Sequence, residues 1–600
     1  MQRSLFIGFF FLIVTACAGR PPGPDPVVFH ARPDVDRTLS GCVDGQYPCG
    51  QATPFAQLIE KTMPRSGQSQ HHYVTLLEHG DDALVARLHL IRSAKQAIDF
   101  QTFIWGADDV SDLFFRELVL AARRGVRVRI LVDQLTGNRQ GKWLTYGAYV
   151  HENLQIKLYN PTFYKGKNSP LDLLAAFLFY YRTFNQRMHN KVLIIDRSIG
   201  ITGGRNIERK YFDLDPDFIF KDRDVLVVGP VVADMERSFS DYWYDKRSVT
   251  LARINDKILQ PIHISPKWLP MNAPLVPMLS VLDRRASDTR YIREVFVGSA
   301  IPVSGKVAFF ADHPGKKSRR NKQQPVSCTV GLKQIVFNAD HSLIMQTPYL
   351  LFSRKALRGF KRLRKKKPAL TIIASTNSLA ATDCLSAYAV GFKQKKRLVK
   401  KLKFQIYELK PVPDDIQRMV RNYEQLLSCS NHNKKQSDGE ALGSVAQLKV
   451  GIHGKSFVVD DAVAWVGSHN FDPRSDHYNT EAALAIWDRA VAVKLKKHIL
   501  RDTAPQNSYF IARQPQVPVV SYFSGLLGNL SRALPFFDLW PFRYTTSYEL
   551  RAGKMPVQRD HPRFHEHYRN MGAFPGINLS LRAMQARLLT AMGGFLAPIL

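Results

Sequence analysis

The pattern His-x-Lys-x4-Asp occurs twice in this chain with the same sequel. It runs from His189 through Lys191 to Asp196, and again from His453 through Lys455 to Asp460. The residues between Lys and Asp are Val-Leu-Ile-Ile in the first copy and Ser-Phe-Val-Val in the second, a composition that favours a buried strand. Each copy continues into a small-residue turn ending in asparagine, Gly203-Gly204-Arg205-Asn206 and Gly467-Ser468-His469-Asn470. A chain that builds one cassette twice is expected to pair the copies into a single phosphate-handling centre. His432-Asn433-Lys434 is a partial third copy, but Asp438 comes one residue early and the intervening residues are polar, so it reads as loop.

On a strand, side chains alternate faces. His189 and Lys191 therefore share a face, as do His453 and Lys455. Asp196 and Asp460 lie seven residues beyond their histidines, off that face, and read as mainly structural, capping the following turn. The Gly-Gly and Gly-Ser steps allow close backbone approach to a ligand, and Asn206 and Asn470 offer amide donors. A histidine that acts as nucleophile or acid needs a partner to fix its tautomer. Glu481 and Asp224, each ahead of an apolar run, are assigned to His453 and His189 respectively.

The upstream regions repeat as well. Ala97–Trp105 reads as a strand, Asp108–Arg124 as a helix and Val126–Val132 as a strand. Ser342–Leu351, Ser353–Lys367 and Ala369–Ala374 repeat the order. Such units imply an α/β sheet with helices outside, and a site between the strand ends of two halves.

These motifs resemble those of the phospholipase D superfamily, and their wording is most similar to bacterial cardiolipin synthases of the lipoprotein-like branch. The resemblance is carried by Arg187–Lys191, Gly203–Ile207, Thr376–Asp383, Asp472–Ser475 and Asn479–Glu481, and spans roughly Leu76 to Trp487. His469 departs from it, standing where an aromatic or apolar residue is commoner. The resemblance implies two phospholipase D-type α/β halves, with central sheets flanked by helices and one active site at their interface. It implies catalysis through a phosphohistidine, without metal or cofactor, by His189, Lys191, Asp196, His453, Lys455 and Asp460. One histidine attacks phosphorus and the other serves as acid and base. The reading leans to His189 as nucleophile, although the sequence is symmetric on this point. Lys191, Lys455, Asn206, Asn470 and Ser468 would bind the phosphate. Transfer between phospholipids, hydrolysis of one, and a nuclease of the same superfamily remain the candidate activities, in that order.

The chain begins with a basic start and an apolar run, Leu5–Val14, followed by Val14-Thr15-Ala16-Cys17. This reads as a lipoprotein signal at 1–17 with Cys17 lipidated, which places the protein in a bacterial envelope, in the outer membrane facing the periplasm. A Pro/Gly-rich tether and extension occupy 18–70, where Cys42 and Cys49 are expected to form a small disulfide. The halves are placed at 71–250 and 328–500, with a connecting insertion at 251–327 and a C-terminal extension at 501–600. Lysine and arginine number 84 against 51 aspartates and glutamates, a net charge of +33. With the lipid anchor, this points to a membrane surface and to anionic and zwitterionic phospholipids as partners, and no nucleic acid is expected. Two apolar stretches, Leu171–Tyr181 and Val520–Phe542, could touch lipid; burial as core is favoured for the first. Ile577–Leu600 reads as an amphipathic helix.

Overall fold

The computed structural model describes residues 53–62, 71–135, 151–254, 275–316, 327–429, 447–514 and 544–575. The expectations for Leu5–Val14, Cys17, Cys42, Cys49, His432, Val520–Phe542 and Ile577–Leu600 fall outside these residues.

Each His-x-Lys-x4-Asp motif becomes a β-hairpin, and its sequence explains why. Val192–Ile195 pairs antiparallel with Ile199–Gly203, and Lys455–Val459 with Val463–Gly467. The turn residues Asp196 and Arg197 have φ of 48° and 57°, and their counterparts Asp460 and Asp461 have 51° and 53°. Such left-handed pairs suit the tight turn of a twisted hairpin, and Asp tolerates them. Each motif Asp also holds the neighbouring strand. The Asp196 carboxylate accepts the backbone N–H groups of Lys95, Gln96 and Ala97 at 2.7–2.9 Å. Asp460 accepts those of Asp340, His341 and Ser342 at 2.6–2.8 Å.

Around these hairpins the chain builds the same eight-strand order twice. In the first half it runs His72–Leu77, Asp224–Val228, Ile199–Gly203, Val192–Ile195, Ala97–Thr102, Arg127–Asp133, Leu154–Tyr159 and Ser248–Thr250. In the second it runs Val307–Ala311, Ala482–Trp487, Val463–Gly467, Lys455–Val459, Ser342–Gln346, Thr371–Asn377, Gln405–Leu409 and Ser508–Arg513. The central three strands of each set that follow the hairpin are parallel, joined through helices such as Asp109–Arg123 and Arg354–Lys366. Residues 251–327, expected as a connector, supply edge strands to both halves: Ile301–Val303 to the first and Val307–Ala311 to the second. The region after 501 contributes Ser508–Arg513, Thr545–Leu550 and Tyr568–Gly572 to the second sheet.

The motif strands are mostly apolar because both faces are buried. Leu193 and Ile195 face the helices of their own half, whereas Val192 and Ile194 enter a core shared with Ile344, Val458 and Val466 of the other half. Phe457 and Val458 divide in the same way. The two sheets are thus halves of one body. Arg223 locks them further, donating to Glu78 at 2.6 and 2.9 Å, to Gln346 at 3.0 Å and to Ser456 at 2.6 Å. One expectation is overturned: helix Pro170–Phe179, favoured as core, has only Ala176 buried.

Candidate active site

Each histidine loop is sewn to the half it does not belong to. His189 N–H donates to Thr480 O and Thr480 N–H to Arg187 O, both at 2.9 Å. Lys449–Ile452, which leads into His453, pairs parallel with Phe218–Lys221, and His453 N–H donates to Lys221 O at 2.8 Å. The acids that follow these partner segments are thereby delivered across the interface. Glu481 Oε2 lies 2.8 Å from His189 Nδ1, and Asp222 Oδ2 lies 2.5 Å from His453 Nδ1.

This corrects the sequence assignment in two ways. The pairing is crossed, since Glu481 serves His189 and not His453. The first-half acid is Asp222, not Asp224. Gly203 pairs with Asp224 as Gly467 pairs with Ala483, so Asp224 is the counterpart of Ala483 and Asp222 that of Glu481. Asp224 turns to Arg87 at 2.8 Å and Arg205 at 3.1 Å, beneath the sheet. Asp222 stands beyond the strand end, where its carboxylate reaches over; a Cβ on Gly204 would lie 2.2 Å from it.

Both histidine loops are also held from within their own half. Asp133, at the end of its strand, accepts Met188 N–H at 2.8 Å and pairs with buried Arg187 at 3.4 Å. Asn377 occupies the equivalent strand end and clasps the Ile452 backbone, accepting from N at 2.6 Å and donating to O at 2.8 Å. Aromatic rings wall the site: Phe103 packs edge-on against His189 and Tyr211 edge-on against His453, while Phe220 lies tilted against His453, all with centroids 5.0 Å apart.

The remaining expected ligands divide. Lys191 Nζ donates to His189 O at 2.7 Å, and Lys455 Nζ lies 2.9 Å from His453 Nε2. Asn206 is largely committed, accepting from Ile104 N–H at 3.0 Å and donating to Tyr211 OH at 2.9 Å. Asn470 is buried, and its side-chain oxygen has no hydrogen-bond partner among the described residues. Ser468 departs from its expected role, because its hydroxyl proton goes to Glu481 at 2.5 Å. It positions the acid, and that commitment removes it as a phosphate donor. Asp196 and Asp460 stand at the far ends of their strands, holding backbone rather than joining the site. His469 is buried, and its Nδ1 accepts from Phe471 N–H at 2.9 Å. The sequence did not single out Tyr349 or Asp383; the Tyr349 hydroxyl donates to the exposed Asp383 carboxylate at 2.9 Å. Asp383 acts electrostatically on His453 and Lys455.

The electrostatics follow from burying four basic groups together. Burial, with Lys191 and Lys455, lowers His189 to about 4 against the pull of Glu481. Burial and then Lys455 lower His453, opposed by Asp222. Burial acts to raise Glu481, but His189, His469 and Lys191 together outweigh it and the carboxylate falls to about 2. Asp222 is likewise held well below the usual carboxylate range, since His453 and Lys455 overcome its burial. The resting state is therefore neutral imidazole with anionic carboxylate. An acceptor-only carboxylate fixes the proton on Nδ1 and leaves the Nε2 lone pair for chemistry. Burial and then Lys455 bring Lys191 down to about 7 against Glu481, and burial brings Lys455 to about 8. Two strained lysines between two neutral histidines form a centre that an anion would relax.

The model of the cardiolipin synthase phospholipase D-like domain matches residues 88–243 and 332–503, more than half of the chain and one match on each half. The chain belongs to this family. The family makes it a phospholipase D superfamily enzyme, of the phosphatidyltransferase and phosphodiesterase class, with phospholipid substrates. Among similar proteins, an uncharacterized Helicobacter pylori protein (strain J99) is 29% identical over 515 residues, covering 81% of this chain and 93% of that protein. Cardiolipin synthase C of Escherichia coli K12 is 28% identical over 433 residues, covering 71% of this chain and 83% of that protein. The crystal structure of Haemophilus influenzae phosphatidylserine synthase aligns with a TM-score of 0.45 at 13% identity, covering 72% of this chain and 86% of that one.

Proposed function

We propose that this family member transfers a phosphatidyl group from one phospholipid to the hydroxyl of another, making cardiolipin. The observation that carries the reading is the crossed pair of His–carboxylate couples, Glu481 on His189 and Asp222 on His453, which make one centre from two motifs. The similarity to Escherichia coli cardiolipin synthase C supports the lipid class.

In the first step the neutral His189 Nε2 attacks the phosphodiester phosphorus. The bond from phosphorus to the headgroup oxygen breaks, and His453, which takes up a proton on Nε2 when the anionic phosphodiester is bound, gives that oxygen this proton. Lys191 and Lys455 take the charge on the non-bridging oxygens. In the second step His453 removes the proton of an acceptor hydroxyl, the oxygen attacks phosphorus, the P–N bond breaks and His189 returns neutral. The proton-carrying role is given to His453 by the resemblance to two-motif relatives, each histidine having its own carboxylate. With phosphatidylglycerol as donor and acceptor, glycerol leaves. The apolar start and Cys17 support a lipid-anchored site in the bacterial envelope, which incorporation of labelled fatty acid that ends in Cys17→Ser would test.

The test is a mass-spectrometric lipid assay of the purified chain with phosphatidylglycerol vesicles, with and without phosphatidylethanolamine. Cardiolipin that vanishes with His189→Ala is expected. Phosphatidic acid alone would replace this reading by hydrolysis, and no lipid turnover would overturn it.

A further inference from the structure

Helix Pro170–Phe179 carries Leu171, Leu174 and Leu178 on one stripe, and they are 77%, 54% and 59% exposed. Phe179 and Tyr180 follow, each 48% exposed. These five are nearly half of the eleven large hydrophobic side chains exposed among the described residues. They are therefore a concentrated patch and not the ordinary scatter of apolar surface.

The helix is built to stand there. Pro170 opens it, Ser169 Oγ accepts from Asp172 N–H at 3.1 Å, and Asp172 Oδ2 accepts from Ser169 N–H at 2.8 Å. Asp172 is its single charged residue and pairs with Lys165 at 2.8 Å, so no net charge remains on the helix. Its far end is tied to the frame that holds His189. Asn160 donates to Thr183 O and Gln186 O at 2.8 and 2.9 Å, and Arg187 Nε to Phe184 O at 2.7 Å. Tyr181 meets Tyr478 of the second half at 5.9 Å. The patch is thus joined to the His189 loop by a short, hydrogen-bonded segment that also touches the second half.

We propose that this helix docks on an anionic phospholipid bilayer, with Leu171, Leu174, Leu178 and Phe179 among the acyl chains and Tyr180 at headgroup level. An apolar helix face with an aromatic hydroxyl at its edge matches that boundary. Charge complementarity selects a bilayer over a protein partner. Exposed Lys167 and Arg182 flank the patch, and the chain carries +33 overall. The strongly basic helix Arg354–Lys366 starts nearby, its capping Ser353 bonded to Asp476 in the segment that leads to Tyr478. Docking would press the centre against the headgroup plane, so that a lipid phosphodiester enters without leaving the membrane. The inference deepens the lipid-transfer reading and rests on it for the substrate.

The test uses the full chain with Cys17→Ser, so that no N-terminal lipid contributes. Leu174→Trp reports docking directly. On adding phosphatidylglycerol–phosphatidylethanolamine vesicles, the added emission is expected to shift blue and to be quenched by brominated acyl chains. In the triple variant Leu171→Ser, Leu174→Ser, Leu178→Ser, turnover of vesicle lipid is expected to fall tenfold or more. Turnover of monomeric short-chain phosphatidylglycerol should stay within twofold. Unshifted, unquenched emission would overturn the proposal and assign the patch to a second copy or to another segment of this chain. Equal loss on both substrates would also overturn it. Failure of the unsubstituted chain on both lipids would instead strike the transfer reading, while the tryptophan result would still decide docking.

Discussion

Replacing Glu481 by Gln isolates the crossed pairing. The amide keeps the size of the side chain and removes its charge. The wild-type carboxylate is fully buried and accepts from His189 Nδ1–H at 2.8 Å and from Ser468 Oγ–H at 2.5 Å. A hydrogen bond to a charged group contributes about 1.5–3 kcal/mol. At roughly 1.4 kcal/mol per factor of ten, its loss lowers turnover about 10- to 150-fold. Asp222→Asn should cost a similar factor through His453. Rate alone does not say which ring each acid serves, so the assay couples phosphodiester turnover to imidazole 15N shifts. Glu481→Gln is expected to move the His189 nitrogens and leave those of His453 in place, and Asp222→Asn to do the reverse. Losing the Glu481 charge should also lower the His189 pKa further below about 4, because that charge pulls it upward. Shifts at His453 on replacing Glu481, or rates within twofold of wild type in both variants, would refute the crossed couples.

The lysines set a pH dependence. As pH rises through about 7 and then about 8, Lys191 and Lys455 of the free enzyme lose their charge, so kcat/KM for an anionic phosphodiester should fall there. The fall in kcat should come at higher pH, since bound phosphate favours the charged lysines; coincident falls would contradict this. Asp196→Ala should destabilise the fold by about 1–3 kcal/mol in urea unfolding, through the loss of three backbone hydrogen bonds to its carboxylate, while the folded fraction keeps its kcat. Arg223→Ala leaves buried Glu78 with Lys221 alone of its two close cationic partners and removes the hydrogen bonds to Gln346 and Ser456, and should cost about 1–3 kcal/mol in the same measurement.

Much of this was legible because the motif is its own structural instruction. The mostly apolar residues between Lys and Asp dictated a strand, and the doubled cassette dictated two halves. The aspartates' structural character followed from an odd spacing on a strand, and the structure adds that they hold the neighbouring strand as well as the turn. The acids were harder. Asp222 and Asp224 share a strand face, and only the register, with Gly203 opposite Asp224, shows which one lies past the strand end. The crossing was invisible because it depends on which loops of different halves meet, a property of the shared core and of no local pattern. Residues 251–327 lack a motif, yet short strands within them are placed by the sheets they edge. Leu171–Tyr181 looked like core because its composition is apolar, and composition does not reveal what stands beside an element.

The most direct test of one centre built from two motifs is the stoichiometry of the covalent intermediate. Chain mixed with labelled phosphatidylglycerol would be quenched in alkali within milliseconds, digested and analysed by mass spectrometry. The account predicts up to one phosphatidyl group per chain, on the peptide containing His189, absent from His189→Ala. Two adducts per chain, or label on both histidine peptides, would mean two independent sites and would contradict it.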